Sequence, residues 1–130
     1  MNRKFLCTAR ALGVAAMVLA APLAFGQNTI KIGMITDRVG PAKGYAEPVA
    51  AGAVYAVKEL NAKGGLLGKQ VELLVEDDQG KPDVSATAAR KLVDAGVAFI
   101  LSVSLTPATQ QAQSVTLETK TPHMTPSNSG

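Results

Sequence analysis

Cysteine is almost missing from this sequence: 130 residues hold one, Cys7, and it lies ahead of the apolar run near the amino terminus. A leader cleaved after that run would remove it, which excludes both a disulfide scaffold and a thiol nucleophile from the remainder. Tryptophan is absent, and two Tyr and three Phe are the whole aromatic complement. The basic residues are scattered rather than clustered, so neither the stacking surface nor the basic stripe of a nucleic-acid binder is present. One histidine, His123, leaves no second imidazole or cysteine for a zinc pattern. No nucleophile-elbow sequence offers it a serine to activate, and a place at a strand edge or in the core is expected for it. No apolar run reaches the ~20 residues that span a bilayer.

What the amino terminus does have is an export signal. Arg3, Lys4 and Arg10 form a basic start, residues 11–24 are uncharged and mostly apolar, and Ala24-Phe25-Gly26 places small residues at the third and first positions before Gln27. This is the pattern of a secretory signal over 1–26, with a retained anchor as the alternative. Lipoprotein attachment would need a cysteine at the cleavage site. Thirteen Lys and Arg stand against ten Asp and Glu in the chain, but three of the basic residues belong to the leader, so the rest is balanced. Nothing in that balance points to nucleic acid or an anionic membrane as partner.

The region 27–130 reads as one domain. Residues 29–35 alternate toward a strand, and a loop over 36–44 with two Gly and a Pro punctuates it. A helix opening near Tyr45 then carries Ala53, Val54, Ala56, Val57 and Leu60 at three- and four-residue spacing, with Pro48 expected in its first turn. Asn61-Ala62-Lys63-Gly64-Gly65 ends it. Gln70 begins a strand dense in Val71, Leu73, Leu74 and Val75, which predicts burial on both faces, and Glu76-Asp77-Asp78-Gln79-Gly80 predicts its emergence into water. Pro82 and Asp83 start the next helix, striped by Val84, Ala88, Leu92 and Val93 and stopped by Gly96. A buried strand over 97–103, a helix from Pro107 to about Glu118, and a fourth strand opening at His123-Met124-Thr125 complete the order βαβαβαβ.

That alternation predicts an α/β fold with a parallel, doubly wound sheet. Ligands bind such sheets beyond the carboxyl ends of the strands, here the loops 36–44, 77–81, 104–107 and 126–130. Gly64 to Lys69 fails as a phosphate loop, since the first glycine would fall on Lys63, Gln70 stands where Ser or Thr is needed, and a helix precedes it. Glu76, Asp77 and Asp78 lack metal-loop spacing, and no metal or other cofactor is expected. Ser104-Leu105-Thr106-Pro107 is the strongest candidate: a hydroxyl at the mouth of a helix, with the N–H groups of Ala108 and Thr109, suits an anion, while an ordinary Ser/Thr N-cap is the competing reading.

Ile32-Gly33 with Gly40-Pro41 and Tyr45, the run from Ala53 through Asn61-Ala62-Lys63-Gly64-Gly65 to Lys69, Val75-Glu76-Asp77-Asp78, Ala89-Arg90-Lys91-Leu92-Val93, and Thr125-Pro126-Ser127 together resemble the extracytoplasmic solute-binding proteins of branched-chain amino acid (Leu/Ile/Val) ABC transporters. The likeness implies a type I periplasmic-binding-protein fold of two lobes, closing on an amino acid or small organic acid and delivering it to a membrane permease, as a monomer when complete. It does not imply an enzyme. Carried over by position, Thr106 receives the ligand carboxylate, Ser127 offers a backbone carbonyl to the ammonium, Ser129 is its hydroxyl neighbour, and Tyr45 covers the ligand side chain. Asp37-Arg38 and Glu47-Pro48 depart from the family pattern, which leaves an aromatic or other organic acid open as ligand. Family members are much longer, so 27–130 is expected to be an incomplete first lobe from a truncated or split frame. A periplasmic sensor domain of the same fold is the alternative function. An enzyme of flavodoxin-like topology comes third, since the 36–44 loop lacks the glycine pattern of a phosphate grip.

The leader gives the first testable expectation. Mass spectrometry of the exported protein should show Gln27 as the new amino terminus; an intact Met1 in the periplasmic fraction would overturn the assignment.

Overall fold

A computed structural model describes residues 29–126. Within them the chain alternates strictly: β1 (Ile30–Thr36), α1 (Lys43–Ala62), β2 (Val71–Asp77), α2 (Pro82–Asp94), β3 (Ile100–Val103), α3 (Thr106–Glu118) and β4 (His123–Met124). The strands form one parallel sheet in the order β2-β1-β3-β4. The chain steps outward from β1 to β2, then returns across β1 to β3. With right-handed crossovers, that reversal puts α1 on one face and α2 and α3 on the other. The sheet is doubly wound as the alternation predicts.

Two apolar clusters hold the layers together. On the α2 and α3 side, Ile35 and Ile100 meet Ala88, Ala89, Leu92, Ala112 and Val115. On the α1 side, Met34 and Val103 meet Ala46, with Val49, Ala50 and Ala53 packed around them. The second cluster is thinner. Ala46 is the one fully buried residue of α1, while Val54 and Tyr55 are 54% and 67% exposed and Ala56 is exposed as well, so part of the expected apolar stripe does not reach the sheet.

Several sequence expectations are corrected here. β2 is not covered on both faces: it is an edge strand, with Val71 as its one buried residue and Val75 exposed. Its apolar density reflects side chains shared between two half-covered faces. The acidic stretch after it does not simply enter water, because Asp78 is fully buried. α1 begins at Lys43, before Tyr45, so Pro48 lies inside the helix rather than in its first turn. The cost is one missing N–H bond in the second turn. The third strand is shorter than 97–103, starting at Ile100.

The link between α1 and β2 explains why Asn61 stands where it does. Its side-chain Nδ2 donates to the Val71 carbonyl and its Oδ1 accepts the Val71 N–H, both at 2.8 Å. A side-chain amide thus mimics the neighbouring strand that the sheet edge lacks at this point. Between them the chain turns at Gly65, where φ is +81° and a Cβ would lie 1.9 Å from the Lys69 carbonyl oxygen. At the other edge, the half-buried His123 fixes the two-residue β4: Nε2 lies 2.8 Å from Ser102 Oγ and Nδ1 lies 3.3 Å from Thr116 Oγ1. Burial lowers its pKa from the ordinary histidine value, in keeping with a structural place for the ring.

Asn61→Ala removes both bonds and leaves the Val71 backbone groups unpaired at a part-buried site. A loss of about 1–3 kcal/mol is expected, read as a lower urea midpoint with an unchanged slope. An unchanged midpoint would show that water replaces the amide without cost.

Candidate functional site

The carboxyl edge of the sheet is built on three aspartates, all spent first on backbone. Asp37 follows β1 and is fully buried. Its two oxygens accept the N–H groups of Gly40 and Ala42, the latter at 2.7 Å, which folds the 37–42 loop back and delivers the chain to the start of α1. Asp77 Oδ1 accepts the N–H groups of Arg38 and Gln79 at 3.0 and 2.9 Å, stitching the first loop to the second. Asp78 N–H donates to the Thr36 carbonyl at 3.1 Å, and its Oδ1 accepts Gly80 N–H and the Ser104 hydroxyl, each at 2.9 Å. Buried carboxylates are tolerable only when hydrogen-bonded in this way.

The fit between these loops leaves no room for a side chain at Gly40, where a Cβ would lie 2.4 Å from the Gln79 carbonyl oxygen and 2.6 Å from Asp37 Oδ1. One oxygen each from Asp37, Asp77 and Asp78 lie within 4.8 Å of one another. Three carboxylates suit a hard cation by count, but each already accepts hydrogen bonds from amides or a hydroxyl, with Asp78 Oδ2 left buried and without a partner among the described residues. Their role in the fold is to order the loops.

Above them, the Tyr45 hydroxyl donates to the Ser104 carbonyl, joining α1 to the β3–α3 connection. The phenol pKa is raised, first by burial and then by the neighbouring charges of Asp37 and Asp78. Ser104 is buried, Leu105 is the N-cap residue of α3, and Thr106 opens the helix with Pro107 behind it. No side chain caps this helix, and the serine hydroxyl that could have done so goes to Asp78 instead. The ordinary N-cap reading of this tetrapeptide is therefore wrong. So is half of the amide expectation: Thr109 N–H is spent on the Leu105 carbonyl at 2.9 Å, which leaves the Ala108 amide as the first-turn donor beside the Thr106 hydroxyl.

The structure thus joins Tyr45 to Ser104, two residues before Thr106 opens α3. Ser127 and Ser129 lie outside the described residues. Sequence reasoning singled out Ser104 but missed that its hydroxyl turns inward to Asp78, and it missed that Asp37 and Asp78 are buried acceptors; the short Thr-Asp and Asp-Asp runs at strand ends are the signal that was there to find. A further trace is the set of buried polar atoms without a protein partner among the described residues: Thr36 Oγ1, Asp78 Oδ2, Ser85 Oγ and Thr109 Oγ1. All four belong to strand ends or first helical turns at this same edge. A cavity of about 410 Å³ opens beside it, between α1 and the ends of β1 and β2, lined by residues including Arg38, Lys43, Glu47, Val54 and Val75. Neither Tyr45 nor Thr106 lines it, and we place the candidate site at the amino end of α3, which has no side-chain cap.

Residues 29–130 match the family model described as periplasmic binding protein. The Leu/Ile/Val-binding protein BraC3 of Rhizobium johnstonii is 43% identical over 81 residues, covering 62% of this chain and 22% of that protein. A leucine-, isoleucine-, valine-, threonine- and alanine-binding protein of Pseudomonas aeruginosa is 33% identical over 103 residues, 78% of this chain and 28% of its own length. Among solved structures, the branched-chain amino acid transporter substrate-binding protein LivJ of Streptococcus pneumoniae, in complex with isoleucine, superimposes with a TM-score of 0.75 at 30% identity, over 78% of this chain and 30% of that one. The chain thus spans between a fifth and a third of the length of these relatives.

The electrostatics of the edge can be checked directly. With Tyr55→Phe as background, tyrosinate absorbance should show Tyr45 ionising above pH 10, and Asp37→Asn or Asp78→Asn should bring that titration down. Because the folded-state pKa is raised, the contribution of the neutral phenol is present below pH 10 and is lost as pH climbs through the folded value. A Tyr45 that titrates as an ordinary phenol would show that the carboxylates do not act on it.

Proposed function

The chain belongs to the periplasmic binding protein family, and from that premise we propose that it is part of the extracytoplasmic solute-binding component of an ABC importer for an amino acid or a related small organic acid. Its partners on this reading are the small ligand and a membrane permease, and the leader over 1–26 carries it across the inner membrane. The observation that supports the ligand class is the amino end of α3, which has no side-chain cap hydrogen bond and whose first turn carries Thr106 and the Ala108 amide. A helix start with free N–H groups and its positive dipole end attracts a carboxylate. The names of the relatives point to Leu, Ile and Val. Tyr45 stands beside this end as a cover for the ligand side chain, and Ser127 and Ser129 are proposed to meet the ammonium.

The described residues form one wall. Small-molecule sites bury about 70–90% of their ligand, and a single open edge does not, so the chain by itself is expected to bind L-leucine at about millimolar strength or weaker, short of the roughly 8 kcal/mol of a micromolar site. Titration of the isotope-labelled chain with L-leucine, followed by nuclear magnetic resonance, should move the Ala108 and Thr109 amides. Thr106→Ala should weaken the response roughly tenfold to a hundredfold, the worth of a hydrogen bond to a charged group. Shifts confined to other elements, or an unchanged affinity in Thr106→Ala, would overturn the reading.

A further inference from the structure

Ser104 is held from two sides by parts of the chain far from it in sequence. Below, its hydroxyl donates to Asp78 Oδ1 at 2.9 Å, across 26 residues; above, its carbonyl accepts the Tyr45 hydroxyl, across 59. Asp78 is in turn fixed to β1 by its own N–H on the Thr36 carbonyl and to the second loop by Gly80 N–H. Asp78 is fully buried and Ser104 is 4% exposed, so water offers neither side chain a substitute partner. Only Leu105 separates Ser104 from the first residue of α3. No side chain caps the helix, and Ser104 is anchored from both sides just before it begins.

We propose that Asp78 and Ser104 are positioning residues of the ligand-receiving end: through them the β2–α2 loop fixes where α3 begins, and so where Thr106 and the Ala108 amide stand. The proposal rests on the carboxylate-receiving reading of that end given above. Tyr45 closes the arrangement from the α1 side, which gives the residue a positioning duty besides covering the ligand. Asp78 contributes as an acceptor rather than as a charge. Asn keeps one acceptor oxygen in the same shape, so Asp78→Asn should preserve the attachment that Ser104→Ala breaks.

Hydrogen exchange on the full chain at neutral pH, read amide by amide, separates this from a general effect on stability. In Ser104→Ala, Thr109 N–H should lose protection roughly tenfold, while Met34 and Ile35 in β1 change by less than about twofold. Asp78→Asn should leave Thr109 close to wild type, and Tyr45→Phe, which keeps the ring, should loosen it as Ser104→Ala does. L-leucine affinity should fall with Thr109 protection across the set. Unchanged protection of Thr109 in Ser104→Ala, or an equal loss in β1, would overturn the proposal. A wild-type chain that gives no response to L-leucine would count against the ligand reading alone, and the exchange pattern would still decide whether the pair fixes α3.

Discussion

The buried carboxylate of Asp37 is the constraint on which the rest of this edge depends. β1 ends at Thr36, and the next residue must turn the chain from a central strand to the far side of the sheet, where α1 packs. A free loop over that distance would leave several backbone N–H groups without acceptors close to the core. Asp37 supplies acceptors for two of them from one side chain. Once Gly40 and Ala42 are bound, Lys43 enters the helix with its first turn already directed, although α1 has no side-chain cap of its own. Asp77 repeats the device by holding Arg38 and Gln79 N–H together. The two loops are thus one object, and Gly40 is required where they touch.

The same economy explains which parts of the fold were legible. Periodicity announces elements whose apolar faces meet a layer, and the alternation βαβαβαβ, the helix limits near Asn61 and Gly96, and the place of Thr106 all follow from it. It does not distinguish a strand buried on both faces from an edge strand half covered on each. Val71, Leu73, Leu74 and Val75 look the same in either case, and β2 turned out to be the edge. Charge was the second point of failure. Acidic residues at a strand end are usually read as solvated, yet Asp78 is buried because four hydrogen-bonding groups of the loops converge on it and on Asp37, a fact that no local window contains.

Pro48 shows the reverse situation, a local rule outvoted by a neighbour. A proline is comfortable in a first turn and costly further in, which placed the helix start near Tyr45. The amide of Ala42 on Asp37 moves the start earlier, and the helix accepts one lost bond to keep that attachment. In exchange Tyr45 falls within the first turn, where its hydroxyl reaches Ser104 and closes the gap between α1 and α3. Had the helix begun after Tyr45, that contact would need a loop residue to hold a precise side-chain position.

Electrostatics at this edge work against a simple anion. Burial first, and then the charges of Asp37 and Asp78, raise the Tyr45 phenol, so the two carboxylates add to what disfavours a negative charge there. On the proposed reading an incoming carboxylate meets the same field, and the α3 dipole opposes it within about one helical turn of the helix start. The field therefore restricts where an anion can sit: close to Thr106 and Ala108, away from Tyr45.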